Sequence, residues 1–215
     1  MQRATAQRFS DLCDSVGVSG NIVTEAWRDL VFHYSEPHRF YHSLDHIDRM
    51  LCWLDSAPVG HASIEFAIWY HDVIYDPRSS MNESLSANFF HSGIGTRISP
   101  ELASDIERLI LATDHRSLLF QAEDESTIID IDLSILGESE EVYDDYARNI
   151  RREYAHVPHA AYEEGRKTVL SGFLARTIFT NPPFQTLELV ARKNILREIA
   201  TLNIKECEQD APSNR

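Results

Sequence analysis

The stretch Ala67-Ile68-Trp69-Tyr70-His71-Asp72-Val73-Ile74-Tyr75-Asp76 (AIWYHDVIYD) sets a histidine and an aspartate side by side within a run of large apolar residues. A carboxylate in apolar surroundings is costly unless it is paired or coordinates a cation. The surrounding pattern predicts a helix over 61–75 that is apolar nearly all round, as befits one at the centre of a fold. Such a helix carries the His71-Asp72 dyad inside, and the rest of the chain must supply what the dyad meets there.

Outward from this segment the pattern stays helical. Asn21 can cap 22–34, where Ile22, Ala26, Leu30 and His33 share a face. Residues 46–54 put Ile47, Met50, Leu51 and Leu54 at helical spacing, and Asn82-Glu83 open a helix to about His91. Ser99-Pro100 is a cap followed by proline at the first helical position, opening 101–113. Amphipathic stretches follow at about 139–156, 159–179 and 185–205. Only STIIDIDLSIL (126–136) alternates like a strand; its isolation among helices reads as a buried helix. The expectation is an all-α chain folded as one domain over 1–205. Its core spans about 38–137, a C-terminal helical lobe about 138–205, and a polar, disordered tail follows from about 206.

With 215 residues, 43% of them hydrophobic, the chain can bury a substantial core. A formal charge of −14 argues against a nucleic-acid groove, which needs a basic stripe. It leaves room for a small anionic substrate beside a metal and a few arginines. Neither a membrane-length apolar run nor a secretory apolar core is found, so no membrane partner is expected. Cys13, Cys52 and Cys207 are isolated and form no CxxC pair, which fits reduced thiols in a cytoplasmic protein.

Eight of the ten histidines lie between positions 33 and 115, a clustering more informative than their number. In YHSLDHI (41–47), His42 and His46 are four apart and share a face if one helix covers both. His71-Asp72 follows, and then Asp130 and Asp132 in an apolar segment. A cation solves the burial problem for all of these at once. The set His46, His71, Asp72 and Asp132, with His42 competing for the first place, offers two nitrogens and two oxygens. Such donors suit Mn²⁺, Fe²⁺, Co²⁺, Ni²⁺ or Zn²⁺ better than Ca²⁺, with Mg²⁺ a further candidate. Glu83, eleven positions after Asp72, can orient a nucleophilic water or accept its proton, and His115 can bind or protonate a phosphate. Arg39, Arg116, Arg151 and Arg152 are candidates for clamping phosphate; one or two are expected near the site and the others solvated.

The ordered H…HD…D set resembles the signature of the HD superfamily of metal-dependent phosphohydrolases. RFYHSLDHI (39–47), IWYHDVIYDP (68–77), NESLSA (82–87), LILATDH (109–115), DIDLSILG (130–137), REYAHVP (152–158) and GRKTVLSGFLAR (165–176) together resemble a bacterial subgroup of predicted phosphohydrolases about 200 residues long. The resemblance covers roughly 20–205 and implies an HD-type helical bundle with a C-terminal helical extension. It puts the family's first histidine on His46, which Met50 follows at the expected spacing, its HD pair on His71 and Asp72, and its last aspartate on Asp132. Asp130 is then left to support the site.

Three functions are therefore weighed. The first is hydrolysis of a small phosphorylated substrate, such as a nucleotide, by water activated at a divalent metal. The second is a di-iron oxygenase of the kind some HD proteins form, for which His91 and His115 would supply the extra histidines. The third is a non-catalytic module that senses a nucleotide or metal. The oligomeric state is left open, a homodimer included.

Overall fold

The structure is a computed structural model that describes residues 2–57, 62–115 and 122–209. Every regular element among them is helical. In order these are α1 (Gln2–Ser15), α2 (Asn21–Tyr34), α3 (Leu44–Ser56), α4 (Ala62–Tyr70), α5 (Asn82–Ser92), α6 (Pro100–Ala112), α7 (Glu123–Leu133), α8 (Glu140–Glu153), α9 (His159–Leu174), α10 (Pro182–Gln185) and α11 (Glu188–Gln209). Short 3₁₀ turns cover Ile94–Arg97 and Ser134–Gly137. None of these helices is long and apolar enough to cross a membrane. Residues 210–215 of the tail, Arg116 and His61 lie outside the described residues.

The chain divides into two compact units, 1–132 and 133–215. In the first, α4 packs against α1, α3, α5 and α6. Phe66, Ala67, Ile68 and Trp69 are fully buried, because neighbours on every side leave this helix no wet face. Phe9 of α1 and Trp27 of α2 meet Trp69 edge-on, at 5.6 and 5.8 Å between ring centroids. In the second, α11 packs on α9 and on the 3₁₀ turn Ser134–Gly137. Gly137 is required there, since a Cβ would come within 2.5 Å of the Leu187 Cβ. Fully buried Asn194 donates to the carbonyls of Leu136 (3.0 Å) and Glu138 (2.9 Å), satisfying groups the turn leaves open.

Several boundaries follow the sequence closely. Ser99 caps α6 by accepting from the Leu102 N–H, with Pro100 at the first helical position. The strand-like STIIDIDLSIL forms most of α7 and the 3₁₀ turn after it. Two expectations are corrected. Gly20, in the left-handed region at φ 78°, precedes α2 where Asn21 was expected to cap it. More important, the central helix stops at Tyr70, leaving the His71-Asp72 dyad in the turn beyond it.

Candidate metal centre

His46 lies in the first turn of α3 on the face that also buries Ile47, Met50, Leu51 and Leu54, and its side chain is 2% exposed. α3 begins only at Leu44, so His42 precedes it and does not share that face. His71 and Asp72 follow α4. Adjacent residues of a helix point about 100° apart, which would separate their side chains. Beyond the end of α4, the His71 Nε2 and Asp72 Oδ2 atoms converge to 3.1 Å. Asp132 comes from the last turn of α7. Its Oδ1 is 3.1 Å from His46 Nε2 and 3.8 Å from His71 Nε2, and the two Nε2 atoms are 3.3 Å apart.

His46, His71 and Asp132 thus present ligand atoms that all lie within 4.8 Å of one another. The Asp72 carboxylate adjoins them, 3.1 Å from His71 and 3.9 Å from His46. Donors bound at about 2.0–2.2 Å to one ion lie about 3.0–3.5 Å from their nearest neighbours, so the spacing fits a shared cation. The tautomer fits as well. His71 Nδ1 lies 3.0 Å from the Ile68 carbonyl, which can only accept, so Nδ1 carries a proton and Nε2 is the nitrogen turned to the cluster.

The electrostatics point the same way. Burial pulls the Asp72 pKa up, yet the imidazoles of His71 and His42 outweigh it and hold the carboxyl well below its usual range. Burial likewise pushes Asp132 up, but hydrogen bonds from His115 and His46 more than offset it and hold the carboxyl well below its usual range. Burial pushes His71 down, but Asp72 and Asp132 raise it to about 9. His46 goes the other way, because burial outweighs its bond to Asp132. The cluster demands positive charge. A proton on His71 meets that demand, and a divalent cation meets it more fully.

His115 Nε2 is 2.9 Å from Asp132 Oδ2, so this residue does reach the cluster. Asp130 is buried in α7, two residues from Asp132. Glu83 is half-buried in the first turn of α5. Its helix neighbours Asn82 and Ser86 hold the chain after the dyad. Asn82 Oδ1 accepts from the Asp76 N–H and its Nδ2 donates to the Asp76 carbonyl, both at 3.0 Å; Ser86 Oγ accepts from the Ile74 N–H and donates to its carbonyl. The NESLSA block thus fastens the segment that leaves the site.

No protein-family model, curated protein or solved structure matches the chain.

Two sequence expectations about the surroundings change. Arg39 is not a free phosphate clamp: its side chain is 0% exposed and its donors go to Glu36 and to backbone carbonyls. In the second unit, Arg151 donates to the Tyr154 and Val157 carbonyls and lies over the Tyr162 ring, while Arg152 donates to Asn149. His91 is exposed at the end of α5 and paired with Glu107 at 2.6 Å, apart from the cluster. His42 competes with His46 for the first place in the ordered set. The structure gives it a place, with Nε2 4.0 Å from Asp72 Oδ2 and its ring 4.2 Å from that of Tyr75. The doubled histidine in YHSLDHI was the available signal: one of the pair enters the cluster and the other flanks it.

Proposed function

We propose that this protein is a metal-dependent phosphohydrolase of the HD type acting on a small phosphorylated substrate, such as a nucleotide. The observation that carries the reading is the convergence of His46, His71 and Asp132, joined by Asp72, from three separate parts of the chain. It is the same ordered set on which the HD resemblance rests. These four residues would hold the ion. When bound, a divalent ion supplies Lewis acidity to a phosphoryl oxygen and to water.

The chain's own groups supply the rest. The Ile68 carbonyl keeps the His71 ring turned to the cluster, and α3 and α7 bring His46 and Asp132 to it. Two histidines flank the carboxylates, His115 at Asp132 and His42 at Asp72. Each is partly open to solvent, with 29% and 19% of the side chain exposed, so each can pass a proton to a departing oxygen. Glu83 is proposed to orient or deprotonate the attacking water from α5.

Elemental analysis of the purified protein, followed by a phosphate-release screen with each divalent ion on nucleotides and sugar phosphates, tests this. The expected result is a bound divalent ion and release of phosphate. Two irons per chain, oxygen consumption and no phosphate release would turn the reading toward the oxygenase. Tight metal binding without turnover of any substrate would turn it toward a sensor. Glu83→Gln is expected to keep the metal and slow turnover roughly 10²–10⁴-fold, the usual share of a positioned proton-transfer group. Unchanged turnover removes Glu83 from the mechanism.

A further inference from the structure

Resting on the metal-centre reading, we infer that Arg39 is a positioning residue: its guanidinium fixes the His71-Asp72 turn and so keeps the Asp72 carboxylate at ligand distance. The side chain is fully buried and its fork is committed in several directions. Nε donates to Glu36 Oε2 at 2.9 Å, which also supplies the counter-charge a buried guanidinium needs. Nη1 donates to the Asp72 carbonyl at 2.6 Å and reaches the His42 carbonyl at 3.3 Å. Nη2 donates to the Val73 carbonyl at 2.8 Å. The cation lies over the rings of Tyr34 and Tyr75, 5.1 and 5.5 Å from their centroids, which fixes its plane.

The need for such a group follows from where α4 stops. The last carbonyls of a helix have no partner within it. Here the Trp69 carbonyl accepts from Tyr34 Oη at 3.0 Å, still within α4, while the carbonyls of Asp72 and Val73 accept from Arg39 beyond it. One more turn of helix would satisfy the backbone differently and swing Asp72 away from His71 by about 100°. Arg39 makes the broken conformation the satisfied one. Through the His42 carbonyl it also ties this turn to the segment that leads into α3 and His46. A lysine cannot reproduce this, because an ammonium is a point charge while the guanidinium is a rigid planar fork.

The test uses the full-length protein and Co²⁺, read by competition with a chelating dye and by the visible absorption of the bound ion. Arg39→Lys is expected to weaken Co²⁺ about 10–100-fold, the usual cost of losing a group that orients a ligand, and to change the absorption band. Glu36→Gln, which loosens the guanidinium without removing it, should give a smaller loss in the same direction. Tyr34→Phe is the control for a merely structural role: it deletes the bond to the Trp69 carbonyl and should lower the melting temperature while leaving Co²⁺ affinity and spectrum as in the wild type. The inference is overturned if Arg39→Lys and Glu36→Gln bind Co²⁺ like the wild type, or if Tyr34→Phe weakens it as much as Arg39→Lys. A wild-type protein that takes up no Co²⁺, Mn²⁺ or Zn²⁺ removes the metal centre itself, an outcome distinct from a wild type that binds and variants that bind equally.

Discussion

Buried charge is handled in two ways in this chain. In the unit from 133 onward, the Arg166 guanidinium meets both carboxylate oxygens of Glu198, at 2.8 and 3.1 Å, and Tyr143 donates its hydroxyl to the same carboxylate at 2.6 Å. Arg166 also donates to the Tyr146 hydroxyl and lies over that ring. In the unit up to 132, the carboxylates of Asp72 and Asp132 meet the imidazoles of His42, His46, His71 and His115, and the Arg39 guanidinium addresses the Asp72 carbonyl. The first cluster is charge-neutral and closed. The second is rich in lone pairs and open to a cation. A buried charge therefore points to function when its compensation is left to something outside the chain.

The largest effect tests the closed cluster. Glu198→Ala leaves the Arg166 cation buried without its partner and should destabilise the fold by about 3–5 kcal/mol in urea denaturation, with metal content unchanged. Replacing both partners by apolar residues should recover most of that loss. If Glu198→Ala costs under about 1 kcal/mol, the pair is not the closed unit described.

For the open cluster, Asp132→Ala should lower the affinity for Mn²⁺ or Zn²⁺ by at least about 100-fold, more than the loss of an orienting neighbour costs. A variant that still copurifies with a full complement of metal would break the contrast between the two clusters. Next in size is the stabilisation by the ion. At a free concentration 100 times its dissociation constant it should add about 2.7 kcal/mol, so chelation should lower the melting temperature. An unchanged melting temperature after verified metal removal would mean that the fold does not need the cation.

The smallest expected effect is at His91, whose ion pair with Glu107 is exposed. His91→Ala should shift stability by no more than about 0.5 kcal/mol and leave metal content intact. Loss of one of two metal ions in that variant would reopen the di-iron alternative.

Much of this was legible in the residues. Helical periodicity gave the all-α class and most helix positions, and the misplaced polarity of AIWYHDVIYD and of DID marked the segments that converge. The N-terminal helix α1 went unread, because QRATAQRFSDLCDS shows little apolar periodicity outside the Phe9, Leu12 and Cys13 contacts that bury it. The choice between His42 and His46 turned on where α3 begins, a matter of one or two residues that spacing does not fix. Arg39 looked like a phosphate ligand because a side chain's type says nothing about who has already claimed its donors.

By itself the sequence determined that the chain is helical and that histidines and aspartates are carried into apolar surroundings, since both follow from local periodicity and residue chemistry. Tertiary structure decided where the central helix ends, and so whether His71 and Asp72 diverge or converge. The reason is that a helix end depends on which groups satisfy its last carbonyls. In the turn beyond α4 the carbonyls of Asp72 and Val73 are taken by Arg39, some thirty residues away in the chain and brought there only by folding.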